Sequence, residues 1–195
     1  MRSEKVPGIP EPRYGSMVQE YYVTRVRAAL AERAEARSRV RSRAQAIRLR
    51  DEVRRKLRRC FGPLPARTPL NARVTGTLDR LDYRIEKVIF ESRPGLLVTG
   101  NLYVPRRARG LLPAVLGACG HADNGKAAAA YQSFAMNLAR QGYLVFIYDP
   151  ISQGERKQYT TADGMKRPWG CVMEHNTTGN PMRLVGDFFG RWRVW

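Results

Sequence analysis

Acidic residues, histidine and cysteine are all scarce in this chain of 195 residues. Only 17 Asp and Glu stand against 35 Lys and Arg, giving a formal charge of +18. That balance excludes an acidic, cation-sequestering composition and raises the question of anionic partners. Two histidines leave little material for a histidine-built metal centre. Three cysteines at 60, 119 and 171, odd in number and widely spaced, argue against a disulfide framework and suit a reducing compartment. No apolar run reaches the ~18 residues of a membrane span. Met1 to Pro12 carries no apolar stretch of the secretory kind, so a cytoplasmic location is expected.

The excess charge is concentrated. Residues 24–59 hold 14 Arg and Lys against 4 Asp and Glu. They lie in a segment, 17–62, that reads as a basic helical extension behind an irregular arm at 1–16 rich in Pro and Gly. Val18, Tyr22, Val26, Leu30 and Ala34 step by four, and Val40, Ala44, Ile47, Val53 and Leu57 resume the stripe. The irregular step from Ala34 to Val40 leaves one helix or two open, and Gly62-Pro63 ends the pattern. Residues 63–72 read as a Pro-rich linker, and residues 73–195 as the main domain.

That domain changes character at Val74. Tyr83 to Glu91 and Leu96 to Val104 are rich in β-branched and aromatic residues around the turn Arg93-Pro94-Gly95, which predicts a β-hairpin. Ala114 to Ala118 is a continuous apolar run, as in a buried parallel strand. Lys126 to Gln141 reads as a helix stopped by Gly142, and Tyr143 to Tyr148 as a second buried strand. A helix between two such strands implies a parallel crossover. Pro150 to Asn180 reads as a long loop. Pro181 to Trp195 reads as a final helix with Pro181 in its first turn and Leu184, Phe188, Trp192 and Trp195 on one side.

Three groups of residues then belong together: Arg93-Pro94-Gly95 with Gly100 to Pro105, Pro113 to Lys126 including Cys119-Gly120-His121, and Asp149 to Arg156 followed by Glu174-His175. Through them, Tyr83 to Trp195 resembles the N-terminal part of α/β-hydrolases of the acetyl xylan esterase and dienelactone hydrolase kind. The resemblance implies an α/β fold: the first part of a hydrolase sheet, an antiparallel hairpin plus parallel strands with a crossover helix, preceded here by the long basic helix. It implies that Gly120, His121 and Ala122 form the turn on the oxyanion side of the site, where a backbone N–H stabilises the negative oxygen of a tetrahedral intermediate. It also implies hydrolysis of a carboxylic ester on a carbohydrate or related alcohol, with no cofactor and no metal. The family's Asp-x-x-Gly-x-Gly-Glu-Arg pattern carries Ser152 in place of its first Gly. No Gly-x-Ser-x-Gly occurs anywhere in the chain, so there is no position to which the nucleophile, the triad acid or the triad His can be assigned. The expectation is a fragment, inactive alone, whose third hydrolase strand presents a bare apolar edge.

Other readings of the same residues are weaker. Cys119 and His121 with Cys171 and His175 could form a Cys2His2 zinc set, but the spacings are not those of a zinc knuckle. Cys119 as a thiol nucleophile competes with a small buried residue at a strand end. Ser152 lacks the first Gly of an elbow. Asp149 reads as a loop-ordering carboxylate, Asn124 as a cap for the helix beginning near Gly125, and Glu174-His175 as an exposed loop pair. Trp169 reads as packing. The Arg-rich helix could follow nucleic acid or an anionic surface, but it lacks interleaved aromatics, and a solvated helix is preferred.

Overall fold

The computed structural model describes residues 15–107, 109–159, 161–162 and 169–194. They fall into two compact units that part between Arg58 and Arg59. The first holds a helix at Met17–Ser38 (α1) and most of a second at Arg43–Phe61 (α2). The basic segment is therefore two helices. The break has a local cause. The Ser42 hydroxyl accepts the Gln45 N–H at 3.2 Å while the Gln45 side chain accepts the Ser42 N–H at 3.0 Å, a reciprocal box that opens α2. Neither helix has a buried residue.

The second unit is built on five strands: Arg73–Asp79 (β1), Tyr83–Arg93 (β2), Leu96–Pro105 (β3), Ala114–Ala118 (β4) and Leu144–Tyr148 (β5). Their order is β1-β2-β3-β5-β4. The expected hairpin is present, β2 against β3, with Gly95 at φ +76 in its turn. The sequence reading did not separate β1, which extends the hairpin on its outer side. β5 lies antiparallel to β3 and parallel to β4, so the sheet changes direction as the resemblance implies.

Between β4 and β5 the chain forms a 3-10 turn at Gly125–Ala127 and a helix at Ala129–Arg140 (α3). The helix begins three residues later than expected from Lys126, because Ala128 is extended (ψ 136). Gly142, at φ +95, stops it as expected. α3 packs on one face of the sheet. Ala135 and Ala139 meet Tyr83, Ile85, Tyr103, Val145 and Ile147 in one buried cluster. These side chains alternate along the strands, as one covered face requires.

The other face is thinly covered. Phe90, Phe146 and Tyr148 form a row with centroids 6.1 and 6.4 Å apart. β4 is an edge strand, and Leu116 on it is 70% exposed. Among the described residues no strand pairs with the outer side of β4, the bare edge expected. Ala114 to Ala118 is not the buried strand expected: Ala114, Leu116 and Ala118 alternate onto the thinly covered face and are exposed there.

The C-terminal region departs most from expectation. Cys171–Leu184 is a helix (α4), with Pro181 inside it rather than in a first turn, and Phe189–Val194 is a separate short helix (α5). Trp195 lies outside the described residues. The Gly, Asn, Thr and Pro content of α4 reads as loop from propensity alone. The helix is held by tertiary contacts instead. Asp123 Oδ1 accepts the Cys171 N–H at 2.6 Å, capping α4 from a distant turn. Glu174 and His175 are buried on its inner side, not exposed in a loop.

Candidate functional site

The chain leaves β4 and β5 side by side at their C-terminal ends, because the two strands run parallel. Functional groups of open α/β sheets collect at that end. Two segments meet there: the turn from Cys119 to Asn124 and the loop from Asp149 to Arg156.

Asp149 anchors the loop. It is fully buried, and its carboxylate collects donors from three elements. Oδ1 accepts the Lys126 N–H at 2.8 Å; Oδ2 accepts the Thr99 hydroxyl at 2.7 Å and the Glu155 N–H at 3.3 Å. The Lys126 ammonium bridges Asp149 and Glu155. A buried charge is tolerated only when paired and hydrogen-bonded in this way. Gly125 and Gly154 flank the carboxylate at φ +51 and +55, and a Cβ on either would lie 2.1 or 2.3 Å from Oδ1. The loop-ordering reading of Asp149 is the one its bonds describe.

Ser152 stands where the family pattern has Gly, and it adopts φ +67. It is completely buried and its hydroxyl has no partner. Ser152 thus takes the left-handed backbone that Gly adopts without strain. A side chain with a buried, unpaired Oγ and no adjacent base is no activated nucleophile.

The expected oxyanion-side residues, Gly120, His121 and Ala122, lie together in the turn after β4. The Gly120 N–H is occupied by the Tyr131 hydroxyl at 2.7 Å. The carbonyls of Gly120 and Ala122 both accept from Gln153 Nε2, at 2.7 and 3.0 Å. His121 is exposed, with its ring 5.2 Å from that of His175. His175 in turn bonds Ile151 O through Nε2 at 3.0 Å and lies 5.5 Å from Phe189. Burial, more than the cations and His121 nearby, pushes the His175 pKa down. Asn124 precedes the 3-10 turn but makes no side-chain cap.

The cysteines do not fit a nucleophile or a metal set. The Cys119 thiol donates to Tyr148 O at 3.4 Å, and burial, with Asp149 adding to it, pushes its pKa up to about 11. A thiol at that value is protonated at neutral pH and inert. Cys171 is buried at the start of α4, and burial pushes its pKa up as well. Among the described residues no three His, Cys, Asp or Glu side chains are grouped to hold a metal ion. Trp169 packs against Tyr159 at 5.7 Å and lends its carbonyl to Lys157 at 2.8 Å.

Two hollows border these segments. One of about 490 Å³ lies on the thinly covered face, lined by Cys119, Phe146, Tyr148, Pro150 and Arg156 among others. One of about 590 Å³ lies beside Lys87, Asn101, Asn124, Lys126 and Lys157. Sequence reasoning missed Gln153, Lys126, Asp123 and Tyr131. The available signal was topological: polar residues just after β5 face the turn after β4 whenever those strands are parallel neighbours.

A five-stranded sheet that changes from antiparallel to parallel, with a crossover helix on one face, matches an α/β-hydrolase-like fold. No protein-family model matches the chain, and no curated protein matches it. Among solved structures, it is similar to a putative acetyl xylan esterase from Bacteroides fragilis, with TM-score 0.62 and 18% identity. The match covers 80% of this chain and 42% of that one, so the chain spans less than half the length of that esterase. The methylesterase BT1017 also matches, at TM-score 0.44 and 27% identity over 55% of this chain and 24% of that one. An acetyl xylan esterase from Paenibacillus sp. R4 matches at TM-score 0.38 and 19% identity, over 49% and 31%. In fold, the chain is similar to the Bacteroides fragilis putative acetyl xylan esterase. No helix among the described residues is long and apolar enough to cross a membrane.

Proposed function

We propose that this chain is the N-terminal part of a carboxylic ester hydrolase acting on an acyl group carried by a carbohydrate or a related alcohol. Residues 73–195 are then the first part of its sheet domain, and residues 17–62 a basic extension. The turn Gly120-His121-Ala122 supplies oxyanion stabilisation, because preorganised amides lower the energy of a developing alkoxide without reorganisation. The nucleophile, its His and its acid lie outside these residues, so the chain alone holds a substrate-side wall and no attacking group. The observation that carries this reading is the turn itself. It sits at the C-terminal end of β4 next to β5, with both flanking carbonyls drawn inward by Gln153.

The test is hydrolysis of an activated acetyl ester by the pure chain. No turnover above buffer is expected. A longer chain, continued through its own downstream coding sequence and carrying Gly-x-Ser-x-Gly, is expected to gain activity that is lost with that Ser. Turnover by the present chain that disappears on Cys119→Ala or Ser152→Ala would refute the reading.

A further inference from the structure

Gln153 does more than fill space behind the loop. It is fully buried, yet its side chain is only half satisfied. Nε2 gives one hydrogen to Gly120 O (2.7 Å) and one to Ala122 O (3.0 Å), while Oε1 has no partner. The opposite amide orientation would set Oε1 against two carbonyl oxygens, so the donor assignment follows from the network. A buried acceptor is left unpaired in order to hold two carbonyls.

Those two bonds fix the opposite side of the turn. In a trans peptide unit the C=O and the following N–H point in opposite directions. With the Gly120 and Ala122 carbonyls drawn to Gln153, the N–H groups of His121 and Asp123 point away from it, on the same side of the turn. Neither amide has a hydrogen-bond partner among the described residues. The Gly120 N–H, by contrast, is tied to Tyr131, and the Gly125 N–H closes the turn on Ala122 O at 2.9 Å. Two backbone amides presented on one side of a turn can donate together to one anionic oxygen. The Asp123 carboxylate does not fill it: Oδ1 accepts the Cys171 N–H and lies 3.5 Å from the Lys157 ammonium.

We infer that Gln153 is the positioning residue of the oxyanion-side turn, and that the amides it presents to an anionic oxygen are those of His121 and Asp123, not that of Gly120. The ligand class is a carboxylate or a tetrahedral oxyanion. The identity of the turn as an oxyanion site rests on the reading above; the clamp and the direction of the amides do not.

The test uses the 15N-labelled full chain and follows backbone amide proton shifts during titration with sodium acetate and with inorganic phosphate. Expected is a saturable downfield movement at His121 and Asp123 and none at Gly120. Gln153→Glu, which puts oxygens against both carbonyls, abolishes the movement. Should that variant lose the dispersion of its spectrum, Gln153→Met, which offers no donor, is read instead. Tyr131→Phe moves the Gly120 amide and leaves the saturable response intact, an outcome a merely structural role for Gln153 does not require. A wild-type chain with no saturable movement at either amide overturns the proposal. So does an unchanged response in a folded Gln153 variant. A response that persists here, while the longer chain hydrolyses no ester, removes the esterase reading alone.

Discussion

Ser152 illustrates how one residue can keep a loop's shape at a local cost. Left-handed backbone costs an L-residue roughly 1–2 kcal/mol, and its buried hydroxyl lacks a partner. Gly removes both penalties but adds freedom to the unfolded chain. Ser152→Gly is therefore expected to stabilise the protein by about 0.5–1 kcal/mol, read as a higher urea midpoint at unchanged m-value. A lower midpoint would mean that the hydroxyl is bonded after all. His175 gives a pH signature at the same scale. Its pKa is held below the ordinary 6.5, chiefly by burial. As pH falls below that value, the unfolded chain takes up a proton that the folded chain refuses. Stability contributed by the neutral ring is thus complete above pH 6.5 and declines as pH drops toward the lowered pKa. Urea midpoints compared at pH 7.5 and 5.5 are expected to fall in the wild type, and to fall less in His175→Gln.

At the scale of elements, Asp149 joins β5 to β3, to the 3-10 turn before α3 and to its own loop. Asp149→Asn removes one member of a buried pair. Lys126 retains only Glu155, whose side chain is 66% exposed. A loss of roughly 3 kcal/mol is expected, and Asp149→Asn with Lys126→Met is expected to recover part of it, because no buried cation is left behind. Equal losses in the single and double variants would show that the backbone donors, not the ion pair, carry the stabilisation. The same elements show what could be read in advance. The β2–β3 hairpin was legible because β-branched runs flank a Gly turn, and β4, α3 and β5 because apolar runs alternate with a helical stretch. α4 was not, since Thr177, Thr178, Gly179 and Pro181 argue locally against a helix, and the Asp123 cap comes from 48 residues away in sequence. For the same reason the turn at Gly120 to Ala122 was found through the resemblance, while its Gln153 clamp was not: a partner 33 residues away leaves no local pattern.

For the molecule as a whole, the weak point is the outer side of β4. An edge strand offers unpaired N–H and C=O groups, and this one is apolar as well, with Leu116 70% exposed beside the half-buried Phe146 and Tyr148. Natural sheets blunt such edges with a charge or a Pro, and Val115-Leu116-Gly117 has neither. Self-association of the chain through β4 is the expected consequence. Its net charge of +18 opposes this only at long range, and the opposition weakens as salt screens it. Association should therefore rise with ionic strength, which distinguishes edge pairing from charge-driven clustering. Leu116→Lys puts a cation on the open edge without touching the core on the α3 face. It is expected to increase the monomer fraction in light scattering at 0.5 M salt, with the far-ultraviolet spectrum unchanged. If wild type and Leu116→Lys are equally monomeric at that salt, the edge of β4 does not drive association.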